Sequence, residues 1–251
     1  IESVRLVGCG SWHGMKAYSR GVASNVFLLD GGSEMALVDV GVPEGVEDIL
    51  QNVRSLGKDP QRIKKILLTH GHVDHAAGVA EVLKHVDAEV FGHRLTKETL
   101  ADGPGIYIHE FHPDGHLRGP VHRVIKEGDR FKVGSIDLAV IELPGHTPDG
   151  VGYVFELQQG RACFTGDTVI GDQPAHRGVI GWMDGHWHSQ LTPFAKSLDR
   201  VQALELTAFF GGHGDAHLTA ASVRESMKNC IEGLARLRAV PDLDWLFMIE
   251  R

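Results

Sequence analysis

His70-Gly71-His72-Val73-Asp74-His75 is the stretch whose reading decides the fold. It follows the apolar run Ile66-Leu67-Leu68-Thr69, which reads as a buried strand, and precedes Ala76-Ala77-Gly78-Val79, which opens a helical pattern. Three imidazoles and a carboxylate therefore stand at a strand-to-helix turn. Borderline metals such as zinc favour such donors, and a turn at the end of a buried strand holds them with little freedom left to lose. Packing so many titratable groups together is costly unless something positive lies between them. The spacing predicts a metal site with further ligands elsewhere in the chain, rather than a solvated polar turn.

On the amino-terminal side, residues 4–7 and 25–29 read as strands, Asp30-Gly31-Gly32 as a turn, and residues 35–38 as a hairpin partner ending at Asp39. Val46, Ile49, Leu50, Val53 and Leu56 then recur at helical spacing between Pro43 and Gly57. On the carboxyl side, Val79, Val82, Leu83 and Val86 predict a helix and residues 88–93 a strand. Strands are expected at 136–143, 152–157, 162–165 and 208–210, and helices over 194–204 and 223–237. Residues 100–123 and 168–188 show no period and read as loops long enough to serve a function. Strands first, then strands alternating with helices, appear in each half. Two mixed sheets packed face to face and covered outside by helices would bury every pattern: an α/β fold, a four-layer αββα sandwich.

Length and composition agree with one domain over residues 1–251. The chain is 42% hydrophobic, with no linker, charge block or low-complexity run. A formal net charge of −8 disfavours nucleic acid, whose phosphates select basic surfaces. Cys9, Cys163 and Cys230 are far apart and odd in number, so no disulfide framework is implied. No apolar run is long enough to span a bilayer. These features point to a cytoplasmic protein acting on a small molecule, with no membrane or nucleic-acid partner and a homodimer left open. The chain begins at Ile1 rather than Met, which leaves room for a removed signal peptide.

The missing ligands belong at the carboxyl ends of strands, where Gly or Pro lets the backbone turn sharply. Three candidates stand there: His146 in Pro144-Gly145-His146-Thr147-Pro148-Asp149, Asp167 in Gly166-Asp167, and His213 in Gly211-Gly212-His213-Gly214-Asp215. With the opening cluster they make five histidines and two aspartates.

On these residues the chain resembles the metallo-β-lactamase-fold superfamily. The His-x-His-x-Asp-His motif lies at 70–75, the downstream His at 146, the bridging Asp at 167 and the last His at 213. The resemblance implies that His70, His72 and His146 hold one divalent metal and Asp74, His75 and His213 a second, with Asp167 bridging. Asp39 resembles a family aspartate that orients the ligating imidazoles from behind. Zn²⁺ is the expected ion, with Mn²⁺ or Fe²⁺ as alternatives. Two such ions about 3.5–4 Å apart acidify a bridging water to a pKa near 7, so that hydroxide attacks a polarised carbonyl or phosphoryl centre. Asp74 is expected to accept a hydrogen bond from that hydroxide and shuttle its proton. No Gly-x-Ser-x-Gly elbow offers a serine nucleophile instead.

Asp167 argues against a true β-lactamase, which generally lacks a carboxylate at this position. It points to the thioesterase, lactonase and phosphodiesterase branches, although residues 168–172 reproduce neither the glutathione-enzyme signature of the glyoxalase II branch nor the Tyr of acyl-homoserine lactonases. The expected reaction is hydrolysis of an ester, thioester or lactone. The alternatives are β-lactamase-like amide or phosphodiester hydrolysis, and a mono-iron oxidoreductase resembling persulfide dioxygenases. Three rim segments, 8–22, 100–123 and 168–190, would set the substrate. Trp12, Trp182, His186 and His188 are the substrate-binding candidates, with Tyr107, Phe111 and Trp187 as further apolar walls and Arg20, Arg118 or Arg177 for an anionic group.

Overall fold

The computed structural model describes residues 2–10, 18–102, 118–172, 177–183 and 188–239. The first sheet has six strands in the order β1 (Val4–Gly8), β2 (Val26–Asp30), β3 (Met35–Val38), β4 (Ile63–Leu67), β5 (Glu89–His93) and β6 (Arg123–Ile125). The first two pairings are antiparallel and the rest parallel. Parallel neighbours need crossovers. These are supplied by α1 (Val46–Ser55) between β3 and β4, by the short turns α2 (Val73–Ala76) and α3 (Val79–Val82) between β4 and β5, and by a segment that includes α4 (Arg94–Asp102) between β5 and β6.

The second sheet runs β13 (Ala208–Gly211), β10 (Gly160–Gly166), β9 (Val151–Leu157), β8 (Ile136–Glu142), β7 (Arg130–Val133). Only its β10–β13 pairing is parallel. Its outer face carries α5 (Leu191–Ala203) and α6 (Ala220–Arg238). A hairpin of β11 (Ile170–Asp172) and β12 (Arg177–Val179) packs on α6, where Gly178 N donates to Ser226 Oγ at 2.9 Å.

Side chains alternate across each strand, so a strand buried on both faces reads as an unbroken apolar run. In β2, Val26 and Leu28 point outward to Ile49, Leu50 and Val53 of α1. Phe27 and Leu29 point inward, towards Tyr153, Phe155, Phe164 and Phe210 of the second sheet. Outside that sheet, Val154, Cys163 and Phe209 meet Phe194, Leu198, Val223 and Met227. Three apolar layers thus separate four layers of secondary structure, the expected αββα sandwich. Among the described residues, no helix is long and apolar enough to cross a membrane.

Four details differ from the sequence reading. The helix expected over 79–86 ends at Val82, because the next turn tightens: Lys84 N donates to Glu81 O and His85 N to Val82 O. Helix α4 was not expected; its buried side includes Thr96 and Thr99 beside Leu100, and the two threonines hide the apolar period. Strands β6 and β7 are short edge pieces. The 168–188 region, read as a loop, contains the β11–β12 hairpin.

Candidate metal centre

Each candidate side chain leaves the carboxyl end of a strand. Asp39 follows β3, His70 and His72 follow β4, and Asp74 and His75 lie in the turn α2 beyond. His146 follows β8, Asp167 follows β10 and His213 follows β13. The fold brings all of them to one end of the seam between the sheets. Six of the seven expected ligands are buried; the His213 side chain, 18% exposed, marks the open side.

The donors form two triads. In the first, His72 Nδ1 lies 3.0 Å from His70 Nε2 and 3.1 Å from His146 Nε2. In the second, Asp74 Oδ2 lies 3.1 Å from His213 Nε2 and 3.7 Å from His75 Nε2. Asp167 faces both. Its Oδ2 is 3.5 Å from His146 Nε2 and 3.4 Å from His213 Nε2, and its Oδ1 is 3.4 Å from His75 Nε2. Close approach is built into the backbone at Gly212, where a Cβ would stand 2.1 Å from Asp167 Oδ1 and 2.6 Å from His75 Cε1.

The sequence profile of the metallo-beta-lactamase superfamily matches residues 19–213. The chain belongs to that superfamily. An atrochrysone carboxyl ACP thioesterase from Aspergillus fumigatus is 31% identical over 192 residues, 76% of this chain and 50% of that protein. A hydroxyacylglutathione hydrolase from Cereibacter sphaeroides is 33% identical over 138 residues, 55% of this chain and 44% of the relative. The chain thus spans about half the length of the curated relatives it matches. The subclass B3 metallo-beta-lactamase of Bradyrhizobium japonicum superposes with a TM-score of 0.68 at 20% identity, covering 86% of this chain and 88% of that one, which shows the shared fold.

Around this superfamily centre a network of hydrogen bonds fixes the donors. Asp39, at φ 56°, accepts from Thr69 N at 2.8 Å and from Thr69 Oγ1 at 2.8 Å, and its Oδ2 lies 2.8 Å from His75 Nδ1. Thr69 Oγ1 is also 3.1 Å from His70 Nδ1. The Trp182 carbonyl meets His146 Nδ1, and Ser189 Oγ donates to His146 O at 2.6 Å. Tyr153 donates to Leu68 O at 2.6 Å, pinning the strand before the motif from the opposite sheet.

Electrostatically the triads differ. Burial lowers the basicity of His70 and His72 well below the ordinary imidazole value, and neighbouring imidazoles add to the shift. Burial also lowers His146, against the pull of Asp167. In the second triad burial acts the same way on His75 and His213 but is outweighed. Asp74, Asp167 and Asp39 raise His75 well above its ordinary value, and Asp167 with Asp74 raises His213 to about 9. Burial would raise Asp74, yet His75 and His213 bring it down to about 2.

The proposed substrate contacts are less gathered. Trp182 is 63% exposed, and its carbonyl places it beside His146. His188, half-buried and at φ 57°, makes no hydrogen bond or ion pair with the cluster among the described residues. Trp12, His186, Tyr107, Phe111 and Trp187 lie outside the described residues. Arg20 is turned towards α1, with Nε 2.9 Å from Asp48 Oδ2, rather than towards the cluster.

Two polar residues that sequence reasoning missed hold the centre together. Asn25 Nδ2 donates to Gly211 O at 3.0 Å and Gly214 O at 2.8 Å, gripping the loop that carries His213, while Ser24 N donates to Asp74 O at 2.9 Å. Asp149, fully buried, accepts from Gly71 N at 2.9 Å and Thr96 Oγ1 at 2.6 Å. Their only sequence signal was a polar residue beside an apolar strand or a ligand.

Proposed function

We propose that this protein is a two-metal hydrolase of acyl thioesters. His70, His72 and His146 would hold one divalent cation, Asp74, His75 and His213 the other, and Asp167 would contact both; its position between the two triads is the observation that carries the reading. The donor set fits such ions. His72 Nδ1 has one proton or one lone pair to offer and faces two imidazole nitrogens, a convergence that a cation resolves. Among the described residues, neither His75 Nε2 nor Asp167 Oδ1 makes a hydrogen bond although both are buried. Imidazole with carboxylate suits Zn²⁺ best among common divalent ions, with Fe²⁺ or Mn²⁺ as alternatives.

Two such cations supply Lewis acidity for a substrate carbonyl and lower the pKa of water to about 7. The chain's own residues do the rest. Asp74, with its carboxyl held at about 2, is an ionised acceptor at neutral pH, able to orient an attacking water by accepting its hydrogen bond. Asp39 holds the His75 ring through Nδ1, leaving Nε2 directed at the centre. The partly exposed edge at His213 offers the approach for an acyl chain.

The thioester preference draws support from relatives named as thioesterases and hydroxyacylglutathione hydrolases. No reactive thiolate competes: burial raises Cys9 to about 11, helped by Asp215, and raises Cys230 to about 12. Three free, buried cysteines also suit a reducing, cytoplasmic setting. The test is elemental analysis of the purified protein, with acyl thioesters, lactones, aryl esters, phosphodiesters and β-lactams assayed before and after chelation. Close to two metals per chain and thioester turnover lost on chelation and restored by zinc are expected. One iron per chain with oxygen consumed alongside a thiol substrate would overturn the reading, as would full hydrolysis by D74A.

A further inference from the structure

We infer that Asp149 is a positioning residue for the first triad, its carboxylate locking the His70-Gly71-His72 peptide against the loop that carries His146; the inference rests on the two-metal reading above. Asp149 is three residues beyond His146 in a tight loop, closed by Leu143 N donating to Gly150 O at 2.7 Å and Gly145 N to Thr147 O at 3.0 Å. Its side chain is fully buried. From there Oδ2 reaches a residue 78 positions away in sequence, accepting from Gly71 N at 2.9 Å. Gly71 is the single residue between His70 and His72, so anchoring its amide sets the direction in which both rings leave the backbone. The same oxygen accepts from Thr96 Oγ1 of α4 at 2.6 Å, which fixes the carboxylate from behind.

Asp149 is an expensive way to tie two loops together. Among the described residues no basic side chain pairs with it, and Oδ1, equally buried, makes no hydrogen bond. A carboxylate stripped of water is favoured by a nearby positive charge. An amide bond to an ionised oxygen is shorter and stronger than a neutral one. A cation held by the first triad, whose rings flank Gly71, would supply the compensating positive charge. The arrangement is therefore favourable when the triad is loaded, and geometry and charge both couple Asp149 to that triad rather than to the second.

The test compares zinc binding by the full chain and by D149A, D149N and T96V, using competition with a chromophoric chelator, and the visible spectra of the cobalt-loaded proteins. In D149A the affinity for one zinc equivalent should fall ten- to a hundredfold with the other unchanged, the usual range when a group supporting a metal ligand is removed. Only one of the two cobalt chromophores should change. D149N keeps an acceptor for Gly71 N but not the charge and should recover part of the loss, and T96V, which keeps the carboxylate, should weaken the same equivalent a few-fold. Equal weakening of both equivalents, or no change in either, overturns the role of Asp149; if D149A does not fold, T96V decides on the same criterion. A wild-type chain that binds fewer than two zinc ions overturns the two-metal reading itself.

Discussion

The two triads are built from similar parts and end in opposite electrical states. His70, His72 and His146 stand deep in the seam, where burial keeps imidazoles neutral, the form that binds metal. His75 is also buried and His213 nearly so, yet Asp74 and Asp167 favour the cation on both rings, with Asp39 adding to the pull on His75. The carboxylates that would attract a divalent ion are therefore occupied by protons on neighbouring imidazoles until an ion displaces them. The difference teaches that ligand identity does not fix the behaviour of a site; the number of carboxylates facing each ring does.

The most severe way to break the contrast is to remove Asp167, which faces both triads. D167A is expected to lose both metals and to lower kcat/KM by at least about a thousandfold, as when a charged group acting on the transition state is removed; steady-state kinetics with zinc titration checks this. Next comes Asp39, which bonds His75 of the second triad directly and reaches His70 of the first only through Thr69. D39N should weaken the second zinc equivalent by about ten- to a hundredfold and the first by less, as measured by the same titration.

The pH dependence sharpens the comparison further. Filling the second triad requires both His213 and His75 to lose their protons, so affinity for that ion should climb with pH through about 9 while the first stays nearly flat above neutrality. In the metal-free protein the linkage has the opposite sign. His213 is raised from 6.5 to about 9, so its contribution to stability is fully present below about 6.5 and is lost as pH rises through about 9. Thermal melts of the chelated protein should thus show a Tm a few degrees lower at pH 9.5 than at pH 6.5. The smallest effect expected is that of N25A, which frees Gly211 O and Gly214 O of their donor at a cost of about 1–3 kcal/mol. Denaturant unfolding would register it, along with a modest weakening at the second triad only.

Much of this was legible in the sequence for a physical reason. Strands buried on both faces, such as Val26-Phe27-Leu28-Leu29, carry apolar runs that no surface element needs. The convergence of the candidate ligands had a local signal, because each is a polar residue at the abrupt end of such a run. What could not be read was the bracing. Asn25 lies 186 positions from Gly211, and Asp149 lies 78 from Gly71; nothing local marks either pair before the sheets are stacked. Helix α4 escaped because threonines share its inner face, and β7 because an edge strand shows only Phe131 and Val133 to the core.

The centre straddles the seam between the sheets. His70, His72, Asp74 and His75 belong to the first sheet, and His146, Asp167 and His213 to the second, with the turn at Gly128 joining the two halves of the chain. Ions held there would rivet one sheet to the other, so the layers could not slide or part without first surrendering metal. Metal loading would then govern how long the protein survives heat and protease as much as how fast it turns over substrate, and chelation would unfasten the sandwich along the line of the candidate centre.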